Sequence, residues 1–315
     1  MPLPTINDVQ AVDPVLTNML VSYMQDDSRF VADKVFPIVP VDKDSGTYYI
    51  FDKKYWFTDG LEPRVPGDAY AKGLMGVSTD TFTTAQFAKA IPIADEVRRN
   101  SQVPMDLETA AVQMLAGQIM IRRERAFSAA WMITGVWGTT KSVTSKWSDY
   151  SASDPAGDIL LGMDTISDST GKEANALVMG KIVRSALVNH PDMIDRIKYN
   201  QSATMGNVEN ALASILGVAY FLVSKASYNT ANLGQSASNS AIVDDDALLC
   251  HVDPAAGLFG ASAGKTFVWA PGGGQGMIDM VRMDENDADL IKSKTQFVHK
   301  AVATDMGYFF LDVTD

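Results

Sequence analysis

A glycine-rich stretch in the C-terminal half is where this sequence comes closest to a chemical motif. Residues 260–266 read Gly-Ala-Ser-Ala-Gly-Lys-Thr, an ending shared with phosphate-binding P-loops. A P-loop needs four residues between its glycines and a helix directly after them, so that backbone N–H groups surround the phosphates. Here Phe259 stands where the first glycine belongs, and the following Phe-Val-Trp is typical of a strand. These residues favour a loop that leads into a strand, and a P-loop-like nucleotide-binding enzyme is kept as the less favoured alternative.

The three histidines do not form a metal site in the sequence. None of His190, His251 and His299 has another histidine, a cysteine or a pair of carboxylates at the spacing that metal sites use. His190 directly precedes Pro191 and Asp192, where a helix is expected to restart, and this setting predicts a capping or hydrogen-bonding role. We predict no metal ion and no cofactor.

Cys250 is the only cysteine, so the chain has no internal disulfide. Its surroundings, Ala-Leu-Leu-Cys-His-Val, are typical of a buried strand, and neighbouring residues of a strand point to opposite faces. Cys250 and His251 therefore cannot act together as a nucleophile and its base. The run Asp244-Asp245-Asp246 is typical of a solvated loop rather than a cation site. We predict no catalytic residues and interpret the chain as a non-enzyme.

The composition limits the possible partners. The 315 residues carry a formal net charge of -12, and the pI is near 4.7. A surface that holds nucleic acid by its phosphates needs clustered Lys and Arg, which this acidic balance does not favour. No apolar run approaches the roughly 18 residues of a membrane span, and the N-terminus lacks the basic region and apolar core of a secretion signal. We expect one large irregular unit or two subdomains, without conventional DNA binding and without a membrane partner.

The most prominent predicted element is a helix over residues 104–134. Pro104 is tolerated in a first turn, and apolar residues recur at helical spacing from there on. Those residues are Leu107, Ala111, Val112, Met114, Leu115, Ile119, Ala126, Ala130 and Ile133. A helix of this length, about 45 Å at 1.5 Å per residue, indicates a structural strut that packs lengthwise on other elements.

Two extended runs precede this helix and predict a ribbon. Residues 41–57 and 77–87 alternate in strand fashion, and the stretch between them is rich in turn residues. A two-stranded ribbon with a long irregular tip is at best marginally stable alone in water, so it needs a support. Tyr55, Trp56 and Phe57 near the tip could rest on the body of the same chain or on a neighbouring subunit.

The rest of the chain alternates between helices and strands. A short helix is predicted over residues 93–99, and Asp154 with Pro155 predicts the capped start of another. Residues 171–275 have the pattern of a compact α/β unit, with strands over residues 175–179, 219–223, 247–252 and 266–270 and helices between them, one of which is predicted over residues 181–189. The final segment, from residue 277 onward, is extended again and is expected to return to the long helix.

Several segments, in the same order along the chain, resemble tailed-bacteriophage major capsid proteins. They are the entry to the ribbon, Val-Phe-Pro-Ile-Val-Pro-Val at residues 35–41, and three stretches of the α/β unit at residues 175–180, 186–199 and 224–230. The closing Ala-Thr-Asp-Met-Gly-Tyr-Phe-Phe at residues 303–310 is similar to the C-terminal hairpin of the family. The resemblance covers nearly the whole chain, although none of these segments is a chemical signature.

The resemblance implies an α+β fold of the Hong Kong 97 type. Its parts would be an N-terminal arm, an extended β-hairpin loop, a peripheral domain with a long spine helix, and an α/β axial domain. The expected bounds are an arm at residues 1–40, an extended loop at 41–88, a peripheral domain at 89–170 with its spine helix at 104–134, an axial domain at 171–275, and return strands at 276–315.

The resemblance also implies a function. A major capsid protein self-assembles into hexamers and pentamers of an icosahedral shell around double-stranded DNA, which it encloses without sequence-specific binding. The expected location is the virion capsid, assembled in the cytoplasm of a bacterial host. A cellular nanocompartment shell has the same fold and is the alternative; it would enclose a protein cargo instead of DNA.

Partners and contacts follow from the same resemblance. In such shells the extended loop lies across an adjacent subunit, so Tyr55, Trp56, Phe57 and Arg64 are the expected intersubunit contacts. The long helix begins only about a hundred residues into the chain, which leaves no room for a fused scaffolding segment. A separate scaffolding protein, a portal protein and possibly a decoration protein are therefore the implied partners.

Overall fold

The structure is a computed structural model that describes most of the chain. The described residues are 25–51, 53, 57–61, 63–67, 70, 72–73, 76–100, 107–198, 208–232, 234–255, 257, 260–272 and 274–315. Most of the expected arm, residues 1–24, lies outside these ranges, as do Tyr55, Trp56 and Pro104.

Strands and helices both occur throughout the described ranges, as expected for an α+β protein. The strands are β1 (Ile38–Val41), β2 (Ser45–Phe51), β3 (Val77–Thr83), β4 (Ala85–Ala94), β5 (Thr139–Ser142), β6 (Ala176–Gly180), β7 (Tyr220–Ser224), β8 (Ser227–Asn229), β9 (Asn239–Ala241), β10 (Ala247–Cys250), β11 (Gly264–Trp269), β12 (Met277–Met283), β13 (Ala288–Ala301) and β14 (Gly307–Leu311). The helices are α1 (Ala32–Val35), α2 (Asp95–Asn100), α3 (Leu107–Trp131), α4 (Pro155–Thr170), α5 (Lys181–Asn189), α6 (Pro191–Lys198) and α7 (Val208–Leu216).

One five-stranded sheet is built around the long strand β13. Strand β4 pairs antiparallel with one edge of β13, while β11 and β12 pair antiparallel with successive parts of its other edge. Strand β1 then adds to β11 in parallel. The sequence grouped residues 266–270 with the α/β unit of residues 171–275, and in the structure this strand pairs with β1 and β13 of the first sheet. Its hydrogen-bond partners are distant in sequence, and no local pattern indicates them.

The second sheet has the strand order β5-β14-β10-β6-β7. Strand β14, from the end of the chain, lies inside this sheet, parallel to β5 and antiparallel to β10. Its first residue, Gly307, lies directly beneath the indole of Trp137, and a Cβ at this position would be 2.1 Å from that ring. The close approach of Trp137 therefore requires a glycine at the start of β14. The end of the chain contributes to both sheets, because β13 precedes β14.

The predicted ribbon is present as β2 and β3, which pair antiparallel over their full lengths. Tyr48 and Ile50 face the body, whereas Tyr49 is 56% exposed, as the alternation predicted. The predicted run over residues 41–57 is too long, because the strand ends at Phe51 and Phe57 lies in a bend. The predicted strand over residues 77–87 is two strands.

Thr84 is the point at which the chain leaves the ribbon and enters the first sheet. Its backbone N–H and its hydroxyl both donate to the carbonyl oxygen of Asp44, at 2.8 and 2.9 Å. These bonds end the pairing of β3 with β2, and β4 begins at the next residue. Strand β4 continues through Ala94, so the short helix predicted from residue 93 begins at Asp95 instead. The Asp95 N–H extends the ladder by donating to the Asp287 carbonyl at 2.9 Å.

The long predicted helix is α3, although its buried face differs from the predicted one. In the described ranges it runs over 25 residues and ends at Trp131, three positions before the predicted end. Ala111 and Leu115 are buried as expected, but Val112, Met114 and Ile133 are 37%, 44% and 44% exposed. Toward its C-terminal end the buried side chains are Arg123, Glu124, Phe127 and Trp131. Two of these buried residues are charged, so a pattern of apolar residues alone does not identify this part of the buried helix face.

Helix α4 begins as its sequence predicted. The Asp154 carboxylate accepts a hydrogen bond from the Gly157 N–H at 2.9 Å, and Pro155 occupies the first helical position. Ile159 is fully buried against the second sheet, whereas the next residue, Leu160, is 42% exposed. In the described part of the chain, no helix is both long enough and apolar enough to cross a bilayer.

Candidate assembly surfaces

The glycine-rich stretch does not have the geometry of a P-loop. The residues that follow Gly264 form β11, so a strand stands where a phosphate site needs the N-terminus of a helix. Lys265 is 2% exposed, and its Nζ donates to the carbonyl oxygen of Gly257 at 2.9 Å. Burial lowers the pKa of this ammonium group. Lys265 is therefore held inside the fold, and the nucleotide-binding alternative loses the feature that suggested it.

His190 has the hydrogen-bonding role that its position predicted. The Asp192 N–H donates to Nδ1 at 3.3 Å, so Nε2 carries the proton and donates to the Ser153 hydroxyl at 3.1 Å. The Ser153 hydroxyl in turn donates to the Asp149 carbonyl at 2.7 Å. A Ser-His-Asp triad needs the reverse arrangement, with the serine donating to the imidazole and Nδ1 donating to a carboxylate. The chain of donors instead fixes the loop before α4 against the start of α6.

Cys250 and His251 are separated as expected. The thiol is fully buried at the end of β10, and burial raises its pKa, so it is not a nucleophile. His251 lies just beyond the strand, with Nδ1 2.7 Å from the Glu173 carbonyl oxygen. In the described ranges, no group of three or more His, Cys, Asp or Glu residues is arranged to hold a metal ion.

The triple-aspartate run is only partly a solvated loop. Asp244 is exposed, whereas Asp245 and Asp246 are half-buried beside the end of the chain. The Asp246 carboxylate accepts a hydrogen bond from the Asp312 N–H at 2.9 Å, and the Asp245 carbonyl accepts one from the Val313 N–H at 2.9 Å. Burial raises the pKa of Asp246. These residues fasten the C-terminal segment to the second sheet.

The base of the ribbon is anchored on the first sheet by aromatic contacts. Phe82 stacks on Phe267 with ring centroids 4.5 Å apart, and Tyr48 lies 5.6 Å from the same ring. The Tyr48 hydroxyl donates to the Asp80 carboxylate at 2.7 Å, which satisfies the polar end of a side chain that is only 3% exposed. The ribbon therefore leaves the body in a fixed direction.

The tip of the ribbon is apolar and exposed. Leu61, Val65 and Tyr70 are 93%, 65% and 77% exposed, and the Arg64 guanidinium lies 4.2 Å from the centroid of the Tyr70 ring. Large apolar side chains this open to water are typical of a surface that binds a partner.

The tip touches its own body at a small site. Lys53 Nζ lies 2.5 Å from an Asp305 carboxylate oxygen, and both side chains are about half exposed. The Phe57 ring lies beside Gly171, where an added Cβ would be 3.4 Å away, yet Phe57 is 64% exposed. Ion pairs as open as Lys53 and Asp305 contribute roughly 0–1 kcal/mol. Whether Phe57 and Arg64 contact a neighbouring subunit stays a prediction, and Tyr55 and Trp56 lie outside the described residues.

The middle of α3 holds a junction that sequence reasoning missed. The Glu124 side chain has no exposed surface; its Oε2 accepts hydrogen bonds from the N–H groups of Val31 and Ala32 at 3.0 and 2.8 Å. The Ser224 hydroxyl, at the end of β7, donates to Oε1 at 2.6 Å. Glu124 with Val31, Ala32 and Ser224 is called the Glu124 junction below. It joins α3, α1 and the second sheet.

Arg123 makes a parallel set of contacts beside this junction. Its Nε donates to an Asp33 carboxylate oxygen at 2.9 Å, and its Nη1 donates to the Gln275 carbonyl at 3.1 Å. Two consecutive charged residues on one helix face thus hold the N-terminal segment (residues 25–36). The sequence gives one indication of these contacts: Arg123 and Glu124 occupy positions at which the helical pattern of buried residues continues from Leu115 to Phe127.

An aromatic cluster continues this contact toward the end of α3. Trp131 is fully buried, with its ring centroid 4.4 Å from that of Phe36 and 5.3 Å from that of Phe127. The His299 ring of β13 lies 4.6 Å from Trp131. Burial lowers the pKa of His299 to about 3, so this imidazole is neutral at physiological pH. The N-terminal segment, α3 and the first sheet meet in this cluster.

A network of ion pairs lies at the N-terminal end of α3. Arg98 of α2 pairs with Glu108 at 2.7 Å and also with Asp289 of β13. Arg282 of β12 pairs with Asp95 at 2.7 Å and with Asp289 at 3.3 Å. These guanidinium groups hold the pKa values of Asp95 and Asp289 below their usual range. The network fixes the start of α3 to the β12–β13 hairpin.

Comparison with known proteins relates this chain to phage capsid proteins. No family model matches the sequence. The major capsid protein of Burkholderia phage BcepMu is 26% identical over 226 residues, which cover 71% of this chain and 72% of that protein. A match of this extent agrees with the resemblance that the sequence segments indicated.

Solved structures share the fold over nearly the whole chain. A phage-related protein from Bordetella bronchiseptica RB50 gives a TM-score of 0.67 at 20% identity and covers 96% of this chain and 97% of its own. The capsid structure of cyanophage P-SCSP1u gives 0.58 at 12% identity, with coverage of 89% and 87%. A virus-like particle from Pyrococcus furiosus gives 0.54 at 11% identity, with coverage of 95% and 98%. The predicted resemblance is confirmed: the chain has the α+β fold of phage capsid proteins and is similar in sequence to a tailed-phage major capsid protein.

Proposed function

We propose that this chain is the structural subunit of a phage head, which self-assembles into hexamers and pentamers of an icosahedral shell around double-stranded DNA. The observation that carries the proposal is the capsid fold together with a ribbon whose apolar tip is open to water. A curved closed shell requires contacts between different surfaces of neighbouring copies. A ribbon that is firmly anchored at its base and exposes an apolar tip supplies one such surface.

The domain boundaries belong to the same proposal. The arm at residues 1–40, the extended loop at 41–88, the peripheral domain at 89–170, the axial domain at 171–275 and the return strands at 276–315 describe the capsid fold in this chain. Two strands cross these limits, since β11 joins the first sheet and β14 joins the second. The peripheral and axial parts are therefore interlocked.

The partners follow from the proposed function. The principal partner is a second copy of this chain, and the shell would also need a separate scaffolding protein, a portal protein and possibly a decoration protein. We place the finished protein in the virion capsid and its assembly in the cytoplasm of a bacterial host. We assign it no catalytic role, in keeping with the capsid proteins to which it is similar.

A cellular nanocompartment shell is the second candidate function. The particle from Pyrococcus furiosus has the same fold, so the fold alone does not separate the two functions. The contents of the shell separate the two functions, because a nanocompartment encloses protein and a phage head encloses DNA. The net charge of -12 suits a container for DNA, since a strongly basic lining would hold phosphates and hinder packing and release.

Removing the aromatic character of the ribbon tip is expected to prevent assembly. In the double variant Trp56→Ser with Phe57→Ser, we expect the yield of closed shells to fall about tenfold or more. Truncating an aromatic anchor of an interface costs about 2 kcal/mol or more, and every subunit would lose it. Sedimentation velocity and negative-stain electron microscopy measure the yield. A thermal unfolding transition that stays within a few degrees of the original shows that the subunit still folds.

Tyr150→Ser is the matched control, because Tyr150 is a 46% exposed aromatic residue outside the ribbon. It is expected to leave the shell yield unchanged. Arg64→Glu should reduce assembly, whereas Arg99→Glu, with the same charge change at an exposed position outside the ribbon, should not. If the tip variants assemble as well as the controls, the ribbon tip is not an intersubunit contact.

A further inference from the structure

Glu124 is buried without a cation to balance it. Among the described residues, no Lys or Arg forms an ion pair with its carboxylate, because the adjacent Arg123 is turned toward Asp33. Burial raises the pKa of Glu124 and the Asp33 charge acts in the same direction, while the three hydrogen bonds oppose the rise. A buried carboxylate in this situation is a candidate for taking up a proton.

The junction can hold the carboxyl group in either charge state. When Glu124 is ionised, Ser224 donates to Oε1 across 2.6 Å. When it is protonated, Oε1 can donate to the Ser224 oxygen across the same distance, because a hydroxyl group both donates and accepts. Oε2 accepts from Val31 and Ala32 in both states. Protonation therefore removes the buried charge and keeps the number of hydrogen bonds at the carboxyl group, because the bond with Ser224 is reversed and not lost.

We propose that Glu124 holds the N-terminal segment to α3 and to the end of β7, and that it holds this segment more strongly when its carboxyl group is protonated. The segment has other ties to the turn after β7 and to β8. The Gln25 side chain exchanges hydrogen bonds with the backbone of Ser227 at 2.5 and 3.1 Å, and the Lys225 N–H donates to the Arg29 carbonyl at 3.1 Å. The junction lies between these ties and the aromatic cluster.

A cleft lies beside the junction. It has a volume of 210 Å³ and lies between the N-terminal segment and α3, with Phe30 and Asp33 on one side and Met120 and Glu124 on the other. The junction is one of several contacts between the two walls, which are also joined by the Arg123–Asp33 ion pair and by apolar packing. A change in the strength of the junction should therefore appear as a change in the opening of this segment.

The sign of the pH dependence follows from the direction of the pKa. A carboxyl group whose pKa is raised in the folded state stabilises that state more as the pH falls through its folded pKa. His299 acts in the opposite direction, because its lowered pKa makes the folded state less stable as the pH falls below about 6.5. The other charged groups on the elements around the junction are Asp26, Asp27, Arg29, Asp33, Lys34, Arg122, Arg123, Arg125, Glu209 and Lys225. A variant of Glu124 alone separates its contribution from all of these.

Hydrogen exchange of the full, unassembled chain tests the proposal. The amide protection factors of Val31 and Ala32, corrected for intrinsic exchange, are compared at pH 8 and pH 5 for the original protein and for Glu124→Gln. The Gln side chain imitates the protonated carboxyl group, accepting with its oxygen and donating to Ser224 with its nitrogen. We expect protection to be greater in Glu124→Gln at pH 8, and the difference between the two proteins to shrink at pH 5, because the carboxyl group of the original protein takes up a proton as the pH falls.

Glu285→Gln is the matched control, since it makes the same chemical change at an exposed residue of the β12–β13 hairpin. It should follow the original protein at both pH values. The proposal is overturned if Glu124→Gln shows lower protection than the original protein at pH 8. It is also overturned if the difference between the two proteins does not change with pH. Neither result depends on whether the chain forms shells, so the test is independent of the proposed function.

Discussion

Trp131→Ala is expected to lower the free energy of unfolding by about 4 kcal/mol, because emptying a large buried site costs both the lost burial and the cavity left behind. Trp131 has no exposed surface and contacts Phe36, Phe127 and His299. These neighbours come from the N-terminal segment, α3 and β13, so they cannot all move inward to fill the space. Urea denaturation of the unassembled subunit at pH 7 measures the effect.

Two other variants give the reference values against which the stability of Trp131→Ala is judged. Trp131→Phe keeps an aromatic ring in the cluster and should cost clearly less than Trp131→Ala. Phe57→Ala removes an aromatic side chain that is 64% exposed and should change the stability of the isolated subunit by less than about 1 kcal/mol. A loss below about 1 kcal/mol for Trp131→Ala would show that the aromatic cluster is not part of the stabilising core.

The second large effect is expected at Glu124. Glu124→Ala removes the acceptor for two backbone N–H groups and one hydroxyl group, all of them buried. Leaving such groups without partners costs about 1 kcal/mol or more for each. Relief of the buried charge offsets part of this cost, and we expect a net loss of about 3 kcal/mol in urea denaturation at pH 7.

Glu124→Gln separates the hydrogen bonds from the charge. It keeps an acceptor and supplies a donor in the same shape, so its stability should lie within about 1 kcal/mol of the original. Glu285→Ala, at an exposed position, should change stability by no more than about 0.5 kcal/mol. If Gln were as destabilising as Ala at position 124, the negative charge itself would hold the junction, and our account of it would be wrong.

Elements with complete local signals could be predicted from the sequence. Helix α5 was predicted over residues 181–189 and is found at Lys181–Asn189, because an amphipathic pattern lies between Gly180 and Pro191. The start of α4 was predicted from Asp154 and Pro155, which act as the cap and the first turn. In both cases the residues that decide the structure are neighbours in the chain.

Features that depend on distant partners could not be predicted. The break at Thr84 is made by hydrogen bonds to Asp44, forty positions away, and the placement of β11 depends on β1 and β13. The Glu124 junction was missed for a related reason. A charged residue is normally assigned to a solvated face, and only the folded chain brings two amides and a hydroxyl group to this carboxylate.

The ribbon could be predicted only in part, because its strands have local signals and the contacts of its tip do not. Its strands could be predicted from alternation, and its exposed tip from the aromatic and turn residues. In the proposed shell, the contact that covers the tip would come from another molecule, so the sequence of one chain does not give it. The weak contact between Lys53 and Asp305 shows only where the tip lies on its own body.

The central claim is that this chain builds a shell, and electron microscopy of the purified protein tests it most directly. The protein should be produced both alone and together with a candidate scaffolding protein, and then imaged in negative stain with nuclease-resistant DNA measured in the particles. We expect closed icosahedral particles with hexameric and pentameric units, and protected double-stranded DNA when packaging proteins are also present. A protein that stays a 34.1 kDa monomer at high concentration in both preparations would contradict the account.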